Sequence, residues 1–233
     1  MRIAIIPARS GSTRIKDKNI HPFCGKPLCS YPMEAARESG LFDMIHLSTD
    51  SQRYADTAAG LGFPVDFLRD QSLSRNDSSM MEMLRWVLER YDEKGQVFNE
   101  VCMVYATSPL IDGSDIAEGY ELFRRHNGAK PLLAVGMFPA PLERALKIDA
   151  DGMLRWLHPE NRFLHSQNCI KAYYDAAAFL FVSREHLYAD RQGVLEEFLP
   201  LVLPSWKAVD INDPQDMEVA ELLYLGRRAR DGA

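Results

Sequence analysis

Cysteine is scarce and unpatterned. Cys24, Cys29, Cys102 and Cys169 are the four in 233 residues, with no Cys-x-x-Cys pair and no zinc-ligand spacing. Free structural thiols are therefore expected, with Cys102 buried in an apolar strand. No apolar run reaches the roughly 18 residues of a membrane span. The N-terminus lacks the charged, apolar and small-residue segments of a secretory leader, so a cytoplasmic protein is expected. A basic excess is also missing. The net charge is −6, which argues against a general nucleic-acid or anionic-membrane surface. Two common phosphate-binding fingerprints, GxxxxGK[ST] and GxGxxG, are absent.

What is present is ordinary globular material, 46% hydrophobic and 26% charged, enough for one core with an appendage. Strand and helix patterns alternate. Residues 3–6 read as a strand and 27–39 as a helix ending at Gly40. Residues 44–48 read as a second strand, followed by a helix to about Gly60. Gly62-Phe-Pro marks a turn, and 65–68 reads as a short strand. Ser78 or Ser79 can cap a helix whose Met80, Met83, Leu84, Val87, Leu88 and Tyr91 recur at helical spacing. The methionine cluster there is core, not a ligand box. Residues 101–106 and 132–137 are continuous apolar strands of the kind a parallel sheet buries on both faces, with a helix from 112–114 to about His126 between them. This rhythm predicts an α/β fold with a doubly wound, mostly parallel sheet.

The rhythm breaks at Phe138. To about Ala172 the chain is rich in Pro, Arg, His and Asn, and 145–148 and 153–157 read as a hairpin turning at 149–152. This is expected to be an inserted segment within a single domain spanning 1–233. Residues 173–182 and 199–203 return as strands, and 213–227 closes as a helix. His46, His126 and His186 read as surface or hydrogen-bonded residues.

The first strand runs into a polar loop holding Arg9, Ser10, Gly11, Ser12, Thr13, Arg14, Lys16, Lys18 and Asn19. Open α/β sheets bind ligands at the carboxyl ends of their strands. Gly11 can bring backbone N–H groups close to an anion, and Arg and Lys can neutralise phosphate charge. In an acidic chain this cationic loop points to a specific polyphosphate site.

Several segments carry a wider likeness. Arg9-Ser-Gly-Ser-Thr-Arg-Ile-x-x-Lys-Asn19 and Phe23-x-Gly-Lys-Pro27-Leu come first. Leu47-Ser-Thr-Asp50, Phe67-Leu-Arg69 with Leu73-Ser74 and Asp77, Tyr105-Ala-Thr-Ser-Pro109 and Val209-Asp210-Ile211 with Pro214 and Asp216 follow in order. Together they resemble the acylneuraminate-type cytidylyltransferases, which activate acidic sugars with CTP. Leu142-x-Arg144-Ala-Leu-Lys147, His158-Pro-Glu-Asn161, Ser166-Gln167 and Ala172-Tyr-Tyr-Asp-Ala176 are most similar to the pseudaminic acid branch. Two positions depart from that branch: His165 where an Arg is usual, and Ala177-Ala178 where Gly-Gln is usual.

The resemblance implies transfer of CMP from CTP to the anomeric hydroxyl of a nine-carbon acidic sugar, with release of pyrophosphate. It leaves N-acetylneuraminic or legionaminic acid, or the eight-carbon Kdo, as other substrates, and a non-catalytic nucleotide-binding relative as another reading. Such chemistry is mainly positioning plus cationic stabilisation. Arg9, Arg14 and Lys18 are the candidate triphosphate clamp, with Ala8, Ser10, Gly11 and Ser12 around the phosphates and Lys16 facing solvent. Asn19, Arg69, Ser74 and Thr107 are implied nucleotide contacts, Ser74 and Asp77 reading equally as turn residues. Tyr105, Arg144, Lys147, His165, Gln167, Tyr174 and Asp175 are implied sugar contacts. Mg²⁺ is the implied cofactor, with Asp210 and Asn212 as ligands; the family usually has Asp at the second position. Asp213 either replaces that carboxylate or caps the closing helix, and its place before Pro214 favours the cap. The segment 138–172 resembles the family's dimerisation arm, so a homodimer is expected.

Overall fold

The computed structural model describes residues 1–74, 79–189, 197–230 and 232. Along the chain come β1 (Arg2–Pro7), the short ribbon β2 (Pro22–Phe23) and β3 (Lys26–Pro27), α1 (Ser30–Glu38), β4 (Met44–Ser48), α2 (Gln52–Gly60) and α3 (Met80–Asp92). Then follow β5 (Glu100–Val104), α4 (Gly113–Arg125), β6 (Leu132–Met137), the hairpin β7 (Leu146–Ile148) and β8 (Leu154–Trp156), β9 (Tyr173–Ser183), α5 (Arg184–Ala189), β10 (Leu199–Val202) and α6 (Pro214–Arg230). Six strands form one sheet in the order β10-β6-β9-β5-β1-β4. β1 pairs parallel with β4 and β5, and β6 parallel with β10. β9 runs antiparallel between β5 and β6. The expected mostly parallel, doubly wound sheet is what the chain forms. Because β9 is reversed, its first residues lie at the same edge as the carboxyl ends of its neighbours.

Alternation along β1 sends Ala4 and Ile6 to one face and Ile3 and Ile5 to the other. The first face packs with Met33, Tyr54, Phe123, Phe179 and Phe181. The second packs with Leu84, Val87, Leu88, Tyr91 and Phe98. Each fully buried side chain of this size contributes about 1.5–3 kcal/mol of transfer free energy. A third cluster joins Ile15, Phe23, Leu28 and Tyr31 to Ile211, Met217 and Ala220. It ties α6 and the residues before it to the loop after β1, which brings two parts of the sequence about 200 residues apart into one wall.

A buried ion network does the same from the other side. Lys207 Nζ donates to Asp112 Oδ2 (2.8 Å) and Asp115 Oδ2 (2.5 Å), and Arg227 also donates to Asp112 (2.8 Å). Asp112 and Asp115 are also the capping box of α4. Their partners hold Asp112 well below the usual carboxylate range despite its burial. All four cysteines are free, and Cys102 is buried as expected. Among the described residues no helix is long and apolar enough to cross a membrane.

Several expectations need correction. Residues 65–68 form no strand. The Arg69 N–H bonds Thr49 O (2.7 Å), so the segment crosses the end of β4 instead of pairing along it. α1 begins at Ser30 rather than Pro27, because a tight turn with positive φ at Cys24 (44°) and Gly25 (93°) pairs Lys26–Pro27 with Pro22–Phe23. The closing helix extends to Arg230, and α5 follows β9 where no helix was expected. Of the two possible caps of α3, Ser79 holds the N-cap position without a side-chain bond, and Asp77 and Ser78 lie outside the described residues. The hairpin of 145–157 is present.

Candidate active site

At the carboxyl edge of the sheet a cavity of about 510 Å³ opens over β4, β1, β5 and β9. Three cations of the loop after β1 line it: Arg9, Arg14 and Lys18. Contacts across the molecule hold Lys18 and Arg14, and a local amide bond fixes the backbone of Arg9. Lys18 Nζ donates to Ile211 O (2.6 Å), Arg14 Nη2 donates to Asn212 Oδ1 (2.8 Å), and Asn19 Nδ2 donates to Arg9 O (3.0 Å). Burial lowers the Lys18 ammonium below its ordinary range, chiefly against the pull of Asp210. Asp210 lines the cavity beside these cations, and its Oδ2 accepts from Asn212 Nδ2 (2.5 Å).

The wall near β4 is built around Arg69, which is buried. Its guanidinium donates to Ser48 Oγ (3.1 Å) and to the Ser48 carbonyl, and burial lowers it to about 10. The wall at β5 and β9 carries Tyr105, Thr107, Asp175 and Ala177. Ala177 has φ +48°, and the β6–β9 register shifts between Leu133 and Val135. This bulge lets the Ala177 N–H donate to Asp175 Oδ1 (2.8 Å) and turns the carboxylate toward the cavity. Burial, then the charge of Asp210, raises Asp175 above its usual range.

Of the candidates read from sequence, Arg9, Ser12, Arg14, Lys18, Asn19, Arg69, Tyr105, Thr107, Asp175, Asp210 and Asn212 meet around this cavity. Others do not line it. Ala8 is buried in the core, and its N–H bonds Ser48 O (2.8 Å). The Ser10 N–H and hydroxyl are engaged by Asp50 at 2.9 and 3.2 Å, so that amide is not offered to a phosphate. Gly11 is exposed in the loop, and Ser74 sits in a short 3-10 turn with its Oγ 3.5 Å from Asp70 O. Tyr174 faces away from Asp175, as adjacent strand residues must. It closes over Gly136, where a Cβ would meet its ring at 2.5 Å, and its hydroxyl donates to Ala208 O (2.9 Å). Arg144, Lys147, His165 and Gln167 are exposed on the inserted segment. Thr13, Leu73, Ser79, Met80, Met83 and Ala177 line the cavity and were not singled out as site residues. The helical pattern had marked Met80 and Met83 as core, with no signal that the first turn of α3 borders a ligand site.

Asn212 does not offer its carbonyl to the point that Asp210 faces. That oxygen accepts from Arg14, and the amide NH₂ donates to Asp210. Asp213 is the cap: its Oδ1 accepts from the N–H groups of Gln215 and Asp216, while Asp216 Oδ2 accepts from the N–H of Asp213. It does not replace a missing second carboxylate.

The cytidylyltransferase family profile matches residues 3–202. The chain belongs to the cytidylyltransferase family. It is 34% identical over 228 residues to the pseudaminic acid cytidylyltransferase of Campylobacter jejuni, covering 95% of each chain. It is 29% identical to the CMP-N,N'-diacetyllegionaminic acid synthase of Legionella pneumophila, covering 98% of this chain and 99% of that one. The N-acylneuraminate cytidylyltransferase of Escherichia coli is 27% identical over 94% of this chain and 51% of its own length. Among solved structures, CMP:2-keto-3-deoxy-manno-octonic acid synthetase complexed with CTP shares the fold with a TM-score of 0.68 at 14% identity, covering 97% of this chain and 99% of that one. A 4-diphosphocytidyl-2C-methyl-D-erythritol synthase from Anaerococcus prevotii has a TM-score of 0.63 at 12% identity, covering 97% and 98%.

Proposed function

We propose that this cytidylyltransferase moves CMP from CTP to the anomeric hydroxyl of a nine-carbon acidic sugar, pseudaminic acid, releasing pyrophosphate. The observation that carries the reading is one cavity lined by Arg9, Arg14, Lys18 and Asp210, in a chain matched nearly end to end by two pseudaminic acid cytidylyltransferases. The nucleoside lies over β4 against Arg69, the phosphates over β1, and the sugar over β5 and β9. Arg9, Arg14 and Lys18 offset charge on the triphosphate and on the departing pyrophosphate. The fixed partners of Arg14 and Lys18 preorganise both, so little rearrangement is needed as the bond changes.

Asp210 fits Mg²⁺: it offers oxygen, stands beside the candidate phosphate clamp and supplies one of the one or two carboxylates that Mg²⁺ sites with bound phosphates use. Asn212 would join it only by releasing Arg14 and turning its amide. When bound, the cation supplies charge neutralisation at the phosphoryl oxygens.

The inserted segment supports a homodimer. Ile148, Leu154, Phe163 and Ile170 are between 68% and 78% exposed there, large apolar side chains that a second subunit would cover. In the dimer Arg144, Lys147, His165 and Gln167 would approach the partner's sugar site. Light scattering at micromolar concentration should give twice the 26.5 kDa chain mass; a stable monomer removes this part.

The activity is tested by incubation with CTP, Mg²⁺ and pseudaminic, legionaminic, N-acetylneuraminic and Kdo substrates. Pyrophosphate release with pseudaminic acid is expected. Release with another member reassigns the sugar. Release with none, alongside CTP binding, favours a non-catalytic relative.

A further inference from the structure

The attacking hydroxyl of the sugar must lose a proton, and the cavity offers few groups to take it. Among the described residues lining it, the carboxylates are Asp175 and Asp210, and there is no histidine or glutamate. Asp210 is committed among the phosphate-side groups, with the Asn212 amide on its Oδ2 and the Lys18 ammonium on the neighbouring Ile211 carbonyl. Asp175 stands on the other side. It lies at the start of β9, two strands from β1 along the sheet edge, where the acceptor sugar must enter if the nucleoside lies over β4. In-line displacement needs the nucleophile on the side of the α-phosphorus away from the pyrophosphate.

Resting on the reading above, we propose that Asp175 is the general base that takes the proton of the sugar's anomeric hydroxyl. As that oxygen bonds to the α-phosphorus, its proton passes to a carboxylate oxygen of Asp175. The bond from the α-phosphorus to the bridging oxygen breaks, and the electron pair leaves on pyrophosphate, whose charge Arg9, Arg14 and Lys18 offset. Asp175 ends neutral and returns the proton to water.

The surroundings suit this task. The Ala177 N–H fixes one carboxylate oxygen, and the Tyr105 hydroxyl from the end of β5 stands beside Asp175. Burial keeps Tyr105 protonated well above neutral pH, so it serves as a donor that orients the base and does not compete for the proton. The charged groups facing Asp175 across the cavity are Asp210 from the segment before α6, the three cations of the loop after β1, and Arg69 on the wall near β4. A carboxylate raised by burial is a better proton acceptor than one in water. Its charge also disfavours placing the sugar's own carboxylate at this point, which leaves the hydroxyl to face it. The bulge at Ala177 is then the backbone device that aims the base.

The test uses the full chain with CTP and the sugar that the wild type turns over. Asp175→Asn keeps the size of the side chain and the acceptor for the Ala177 N–H. Its kcat should fall at least 100-fold, within the usual worth of general base catalysis. The KM for sugar should stay within about threefold, and CTP affinity by calorimetry within about twofold. Asp175→Glu retains a base and should run at least about tenfold faster than the Asn variant. A kcat retained within about threefold in Asp175→Asn, with the sugar KM raised, makes Asp175 a binding residue and overturns the proposal. Equal kcat values for the Asn and Glu variants overturn it too. A wild type that turns over no sugar of the panel removes the functional reading itself, an outcome distinct from either of these.

Discussion

Asn212→Asp isolates the feature by which this chain departs from the two-carboxylate pattern. The wild-type amide donates to Asp210 Oδ2 over 2.5 Å and accepts from Arg14 over 2.8 Å. Aspartate removes the donor and sets a second negative charge against the first. Two unit charges about 4 Å apart cost about 1 kcal/mol in water and about 4 kcal/mol at an effective dielectric of 20. The Asn212–Asp210 contact is exposed, so the lower figure applies, and a stronger link to Arg14 offsets part of it. In EDTA the variant should melt lower by no more than roughly 2–4 °C, the equivalent of about 1 kcal/mol for a chain of this size. A divalent cation reverses the sign, because two carboxylates then share one positive centre. With a non-hydrolysable CTP analogue bound, calorimetric Mg²⁺ affinity should rise at least about tenfold, or about 1.4 kcal/mol. Unchanged or weaker Mg²⁺ binding would refute the argument, since residue 212 would not then face the ion.

Three further outcomes follow from the packing. His46 is buried, its Nδ1 lies 3.1 Å from the Tyr91 hydroxyl, its Nε2 has no partner among the described residues, and burial pushes it down to about 3. The unfolded chain protonates near pH 6.5 and the folded one does not, so this group costs roughly 1.4 kcal/mol of stability per pH unit as pH falls from about 6.5 toward 3. In urea titrations His46→Phe should lose that slope; an unchanged slope between pH 6 and 4 would place the dependence elsewhere. Lys207→Met should cost about 3–5 kcal/mol, because Asp115, 10% exposed at its side chain, loses its buried cation. Thermal melting should show this, and a loss under about 1 kcal/mol would mean that the pair is worth no more than an exposed one. Ala177→Gly relieves a left-handed alanine worth about 1–2 kcal/mol while adding about 0.5–1 kcal/mol of unfolded-chain entropy. A slight gain in melting temperature is expected, and a clear loss would show that the Ala177 methyl packs more than the bulge strains.

Apolar runs alone placed the central strands, because a strand buried on both faces is a continuous apolar run and β6 begins and ends where such a run does. The cationic loop was equally legible, since Arg9, Arg14 and Lys18 cluster directly after a first strand in an acidic chain. Local pattern failed where pairing was decided at a distance. Residues 65–68 look like a strand, yet the hydrogen bond from Arg69 to Thr49 carries them across the sheet end.

The sequence by itself determined the main strands, the mostly parallel sheet class and the cationic loop after β1, because these depend on residue type and spacing along a short stretch. Tertiary structure alone decided which side chains meet. It gave Ser10 to Asp50, turned Tyr174 onto Ala208 and linked Arg14 through Asn212 to Asp210. Each of these rests on a hydrogen bond between groups up to about 200 residues apart or on which face of an element a residue takes, and neither follows from composition.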